Sequence, residues 1–286
     1  MKSNSTLIVG CGDLGARVGA LLLARGWQVE GIRRDISKIP PGFTSHGADY
    51  TVAGSLDFVA ALQPEYVLAT FNPADRSVEG YKRGFIQAAK NLLAGLGEHR
   101  PRHIFVVSST RVFAQQQGEW VTEESALAVS DPRATAMIEA EQLLLTSGHC
   151  VSVVRFAGIY GSSGGRLMSR IAGGELCAAK PARYSNRIHR DDCAGLLEHL
   201  LVLADAGRAL ETIYIGVDDR PAEQYEVESW LARELGVTVS GTNSVVSERV
   251  GRGHKRCSNQ RLRDSGYELL YPDYRSGYRA VIASTC

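Results

Sequence analysis

The chain is 286 residues long, 44% hydrophobic and 22% charged, which suffices for a globular core and argues against disorder. A net charge of +1 provides no basic field of the kind a nucleic-acid surface needs, so no nucleic-acid partner is expected. No apolar run approaches the roughly 20 residues of a membrane span, and Met1-Lys2-Ser3-Asn4-Ser5 lacks signal-peptide anatomy, so the expectation is a cytoplasmic protein with no membrane partner.

The first element is a short apolar run, Thr6 to Val9, that ends in Gly10-Cys11-Gly12-Asp13-Leu14-Gly15 and passes at once into a helical pattern through Leu14, Val18, Leu21 and Leu22. Strand, Gly-x-Gly-x-x-Gly turn and helix in that order form a dinucleotide-binding fingerprint. Gly10 permits the turn, Gly12 lets a pyrophosphate approach the backbone, and Gly15 lets the helix pack against the strand. The unpaired N–H groups and partial positive charge of the helix N-terminus then face the phosphates. Asp13 adds a negative charge there and is expected to turn away and cap the helix.

Trp27 to Ile32 reads as a second strand ending in Arg33-Arg34, 18 and 19 positions after Gly15. An acidic residue at that tip would bind the ribose 2′-hydroxyl of NAD, whereas arginine suits a 2′-phosphate. NADP is therefore expected in preference to NAD, with Glu30 the counter-argument and lying mid-strand. A third strand is expected near Asp49 to Ala53, a short helix over Leu56 to Leu62, and a fourth strand over Glu65 to Thr70. Loops that leave the carboxyl ends of such strands face the ligand, which puts Thr70, Phe71 and Asn72 beside the cofactor.

A long helix over Tyr81 to Leu96 leads to a fifth strand, Arg102 to Thr110, that ends in the hydroxyls of Ser108, Ser109 and Thr110. His99 and His103 are four apart, but Pro101 prevents a helix from running through them, so no metal site is expected. Asp131 and Pro132 open the next helix as N-cap and first-turn residue, and it stops at Gly148. Cys150 to Phe156 is a sixth strand, followed by a glycine-rich stretch to Gly165 and a basic region, 166 to 185, with little periodicity. A helix from about Asp191, a strand over Thr212 to Val217, a helix over Gln224 to Leu235 and an Arg- and Tyr-rich tail from Gly251 complete the chain. Its six cysteines, Cys11, Cys150, Cys177, Cys193, Cys257 and Cys286, include no Cys-x-x-Cys pair and read as reduced thiols.

Alternating strands and helices opened by this fingerprint predict an α/β doubly wound parallel sheet, a Rossmann fold. The expected division is a dinucleotide-binding domain over 1–160 and a smaller C-terminal substrate lobe over 161–286, with 187–204 packing back on the first domain.

Four segments together resemble the extended short-chain dehydrogenase/reductase superfamily, in its NAD-dependent epimerase/dehydratase branch. They are Gly10 to Gly15, Ser108-Ser109-Thr110-Arg111-Val112-Phe113, Arg155-Phe156-Ala157-Gly158-Ile159-Tyr160-Gly161, and Arg187-Ile188-His189-Arg190-Asp191-Asp192. Tyr214 to Pro221 is similar to the family's late strand and turn. The resemblance implies a bound dinucleotide, a small-molecule substrate and a homodimer built on two long helices. It also implies a Tyr-x-x-x-Lys helix, in which lysine sits one turn from the phenol and favours phenolate for acid/base work.

That pair is missing: none of the 11 tyrosines has lysine four positions later. With Glu141 placed on the family's downstream glutamate, Arg133 takes the tyrosine position and Met137 the lysine position. Ser109 keeps the matching hydroxyl, with Thr110 beside it, as the candidate catalytic groups. The chain is most similar to an atypical bacterial subgroup.

Two readings stand. One is an epimerase/dehydratase-like oxidoreductase for a nucleotide sugar or another anionic carbonyl or hydroxyl compound. Here Tyr81, Tyr160, Tyr184 or His189 would compensate for the missing pair, and Arg166, Arg170, Arg183 and Arg187 would hold the anion. The other is a non-catalytic NADP-binding sensor or regulatory protein.

Overall fold

In the computed structural model, residues 4–239, 241–243 and 253–284 are described; Met1, Lys2, Ser3, Gly251 and Cys286 of the readings above lie outside them. The central element is a seven-stranded sheet of β1 (Ser5–Val9), β2 (Gln28–Arg33), β3 (Thr44–Gly47), β4 (Tyr66–Ala69), β5 (His103–Ser109), β6 (Val151–Phe156) and β7 (Ile213–Gly216), in the order β7-β6-β5-β4-β1-β2-β3. It is the doubly wound parallel sheet expected, with β1 paired in parallel to both β2 and β4 (Val9 opposite Ile32 and Ala69). The chain runs outward from β1 to β3, then returns to start the other half at β4. The order thus reverses between β1 and β4, where such sheets open a ligand crevice at their carboxyl ends.

The third strand lies earlier than the sequence predicts. Thr44–Gly47 carries it, and Asp49 to Ala53 forms a turn in which the Asp49 carboxylate accepts from the Thr51 amide (3.0 Å) and hydroxyl (2.7 Å). This local Asx turn competes successfully with the strand ladder.

Helix α1 (Asp13–Ala24) buries Gly15, Val18, Gly19 and Leu22, whereas Leu21 is 41% exposed, so the packed face is rotated from the one read off the leucines. After the short α2 (Val59–Leu62), the predicted long helix begins earlier, as α3 (Val78–Tyr81), a π-helical segment (Lys82–Gln87) and α4 (Ala88–Leu96). A Cβ at Gly84, inside the π segment, would strike the backbone of Asn72, Pro73 and Ala74. Glycine there allows the loop after β4 to lie directly on the helix. Helix α5 (Pro132–Leu145) begins as expected, the Asp131 side chain accepting from the Arg133 amide at 3.0 Å.

The chain forms two compact units: Met1–Val112 with Leu127–Arg155 and Ala194–Tyr214, and Phe113–Ala126 with Phe156–Cys193 and Ile215–Cys286. In the first, β1, β4 and most of β5 are buried, as expected for strands covered on both faces. In the second, α6 (Arg166–Ala172), α7 (Gln224–Glu234) and α8 (Tyr274–Ala283) contribute to a core that includes Ile171, Val227, Trp230, Leu231, Tyr274 and Val281. The stretch 166 to 185, expected to be irregular, includes α6 and a strand at Glu175–Cys177.

Candidate functional site

The glycine turn is built from the backbone outward. The amides of Gly10 (3.1 Å) and Cys11 (2.9 Å) both donate to the Ile32 carbonyl, and Gly12 donates to Gly10 at 2.6 Å. Gly10 has φ +88°, and a Cβ on it would lie 2.8 Å from the Thr70 carbonyl; one on Gly15 would lie 2.7 Å from Ile8 Cγ2. The fold itself therefore requires these two glycines. Gly12 is different: its φ is −86°, and a Cβ would meet only the Gly10 oxygen, at 3.8 Å. No protein atom crowds the place where its side chain would stand. A glycine the fold does not need, heading helix α1 and followed by that helix's orphan N–H groups, fits a close-lying pyrophosphate. Leu14 is partly buried in the first turn, and Asp13 is drawn sideways into an exposed pair with Arg17 (3.2 Å). Asp13 thus turns outward as expected, but towards an i,i+4 partner.

Arg33 lies on this turn, its Nη1 donating to the Cys11 carbonyl (3.2 Å) and to the Lys38 carbonyl (3.3 Å). Arg34 is 80% exposed in its side chain and stands 3.8 Å from Asp49. Glu30, the one group that argued for NAD, is bound to His46 at 2.6 Å within the sheet.

The loop after β4 closes the other side. Thr70 donates its hydroxyl to the Gly10 carbonyl (2.6 Å) and its amide to Val9 (2.9 Å), which ties the two carboxyl-end loops together. Phe71 is buried against Tyr50, with ring centroids 5.3 Å apart, and Asn72 donates its amide to the Tyr50 hydroxyl at 3.2 Å. Tyr50 also comes within 3.2 Å of a Cβ built on Gly10, so it is a wall of the glycine turn. Sequence reading missed it because it falls in the segment assigned to a strand.

At the end of β5 the three hydroxyls separate. Ser108 is buried and donates to Glu141, which is itself 2% exposed and paired with Arg155 at 2.6 Å. Its side chain belongs to this buried network. Ser109 is half-buried and accepts the Arg111 amide at 3.2 Å, which leaves its proton for another acceptor. Thr110 is buried in the short 3-10 turn that follows.

The Tyr-x-x-x-Lys position carries different chemistry. Met137 is buried, 4% exposed, as part of the apolar core. Arg133 sits with its guanidinium carbon 5.9 Å from the centre of the Tyr81 ring, and that of Arg111 lies 5.6 Å from the same ring.

The other proposed substitutes and anion binders fall in the second unit and pack there. Tyr160 lies edge-on to His189 (5.2 Å) and against Tyr278 (4.4 Å). Tyr184 stacks on His254, Arg170 pairs with Glu228, and Arg187 is buried, donating to Ser185 at 2.6 Å. Arg166 is exposed and Arg183 half-buried. His99 and His103 bond the Pro64 carbonyl (2.8 Å) and Ser152 (3.0 Å) respectively. Desolvation pushes the His103 imidazole down to about 4.

A fingerprint turn at the switch point of a doubly wound sheet defines a dinucleotide-binding α/β protein. No family model matches the chain. A solved structure from Methylobacillus flagellatus, provisionally described as an NAD-dependent epimerase/dehydratase, is 31% identical with 99% of both chains covered and a TM-score of 0.82. The chain thus belongs to the NAD-dependent epimerase/dehydratase family of the short-chain dehydrogenase/reductase superfamily. It is also 27% identical over 277 residues to Protein YeeZ of Escherichia coli, covering 93% of this chain and 96% of that protein. At the level of fold alone, it resembles the human epimerase family protein SDR39U1, solved with NADPH (19% identity, 97% and 99% coverage, TM-score 0.75). MoeE5, solved with UDP-glucose and NAD, is similar at that level too (19% identity, 99% and 98% coverage, TM-score 0.78). Among the described residues, no helix is long and apolar enough to cross a membrane.

Proposed function

We propose that this protein is an NADP-linked oxidoreductase or epimerase of its family that works with non-standard acid/base groups. The observation that carries the reading is the pairing of an unfilled Gly12 cradle with Arg33 lying on the same turn. Gly10, Gly12, Leu14 and Gly15 hold the pyrophosphate against the start of α1, and Arg33 and Arg34 pair with a 2′-phosphate. Thr70, Phe71 and Asn72 line the other side. When bound, the dinucleotide supplies or accepts a hydride. Ser109, whose hydroxyl proton is not used in holding the Arg111 amide, donates to the substrate oxygen as charge develops there.

The substrate class is an anionic carbonyl or hydroxyl compound, a nucleotide sugar among them, as the likeness to MoeE5 with UDP-glucose supports. The setting is cytoplasmic, and the partner a second copy of the chain.

A second reading, a non-catalytic NADP sensor, is favoured by one observation: Met137 is packed as core, so the lysine position has no polar substitute. Reduced cofactor mixed with a panel of carbonyl compounds and nucleotide sugars separates the two. Steady turnover that Ser109→Ala lowers by about 100-fold, within the range for loss of one such donor, supports the enzyme. Tight cofactor binding without turnover across the panel supports the sensor.

A further inference from the structure

We propose that Arg111 and Arg133 form an oxyanion clamp, standing where the family has its catalytic tyrosine, that binds the carboxylate or phosphate of a small carbonyl substrate. The inference rests on the reading of Ser109 as the group at the reacting end of the cofactor. Arg133 occupies the tyrosine position on α5, and Arg111 follows Ser109 by two residues, held there by the bond from its amide to the serine hydroxyl. Both guanidiniums stand against one phenol ring, their carbon atoms 5.6 and 5.9 Å from its centre, so Tyr81 is a contact the two positive groups share.

Two cations that share one ring call for counter-charge. Asp131 is the carboxylate that meets this pair. One of its oxygens binds Arg111 at 3.0 Å, and the other accepts the Arg133 amide at 3.0 Å as a helix cap. Among the described residues the Arg133 guanidinium has no carboxylate partner, and the buried Nε atoms of both arginines lack a hydrogen-bond partner. A guanidinium fork left open beside a second one suits a planar or tetrahedral oxyanion, which each fork can grip through two N–H groups. With an anion fixed there, the substrate's carbonyl is directed to the Ser109 hydroxyl two residues away.

The test uses malonate and inorganic phosphate as probes, with malonamide as the uncharged control. Each is titrated calorimetrically into the full-length protein, with and without saturating NADPH. The clamp predicts that one or both anions bind and malonamide does not, and the stronger anion identifies carboxylate or phosphate as the group taken. Arg133→Gln should weaken that binding at least tenfold while leaving NADPH affinity and the thermal midpoint unchanged. Arg133→Lys, which keeps charge but loses the fork, should fall between. Failure of both anions to bind in either condition, or equal binding by Arg133→Gln, overturns the proposal. Anion binding that Arg133→Gln abolishes in a protein that does not bind NADPH leaves the clamp standing and overturns the cofactor reading instead.

Discussion

Glu141→Gln tests the account of how the end of β5 is held in place. Glu141 is 2% exposed and takes hydrogen bonds from Arg155 Nη2 (2.6 Å), Arg155 Nε (3.2 Å) and the Ser108 hydroxyl. Arg155 is 1% exposed. Neutralising the carboxylate leaves a guanidinium in the interior without its counter-charge, which costs about 3–5 kcal/mol. That is a large part of the roughly 5–15 kcal/mol that stabilises a typical domain. At about 2–4 °C per kcal/mol for a chain of this size, the thermal midpoint should fall by roughly 6–20 °C. Ser108→Ala removes one hydrogen bond to a charged group that keeps its other partners, so it should cost only about 1.5 kcal/mol. Replacing the pair together, Glu141→Leu with Arg155→Met, should recover much of the loss, because an apolar pair of similar volume needs no desolvated charge. Urea unfolding followed by circular dichroism measures the free energies, and a thermal melt followed the same way measures the midpoint. A Glu141→Gln protein within about 0.5 kcal/mol of the parent, the size of an ordinary surface change, would refute the reasoning.

Two further outcomes follow from the geometry. Gly12→Ala should leave the melting midpoint within about 1 °C and weaken cofactor binding, since its Cβ meets no fold atom closer than 3.8 Å; Gly10→Ala, at φ +88° and 2.8 Å from the Thr70 carbonyl, should destabilise by about 2 kcal/mol or more. Burial pushes the Asp218 carboxyl up to about 7, against about 3.9 in an unfolded chain, so the folded state holds its proton longer. Stability from this group is fully present below about pH 4 and is lost as pH rises through 7. Asp218→Asn should flatten that slope, which denaturation curves between pH 5 and 8 would measure.

The glycine turn was legible because its chemistry is local: a strand, three glycines and a helix are contiguous, and each glycine has its own steric or ligand reason. The fold followed from the alternation of strand and helix. What escaped was set by long-range packing. Tyr50 reaches the turn only because the Asx turn at Asp49 displaced the expected strand. Leu21 looked like core by spacing, yet the packed face of α1 runs through Gly15 and Gly19. Ser108 and Ser109 are indistinguishable in sequence, and only the pleat of β5 sends one towards Glu141 and leaves the other half-buried. The lobe arginines suggested an anion site by abundance, whereas Arg170 and Arg187 bind groups of their own unit. The pair that converges on Tyr81 comes from segments 22 residues apart, Arg111 and Arg133, which no periodicity would join.

The central claim is that the Gly10–Gly15 turn, with Arg33 lying on it, binds NADP in preference to NAD. Equilibrium affinities for NADPH and NADH, measured on the parent protein and on the Arg33→Ala, Arg34→Ala variant, test it most directly. The account predicts NADPH tighter by about 10–100-fold, the value of one or two charge-assisted bonds to the 2′-phosphate. It also predicts loss of that preference in the variant with NADH affinity nearly unchanged. Equal affinities in the parent protein, or a preference that survives the double substitution, would contradict it.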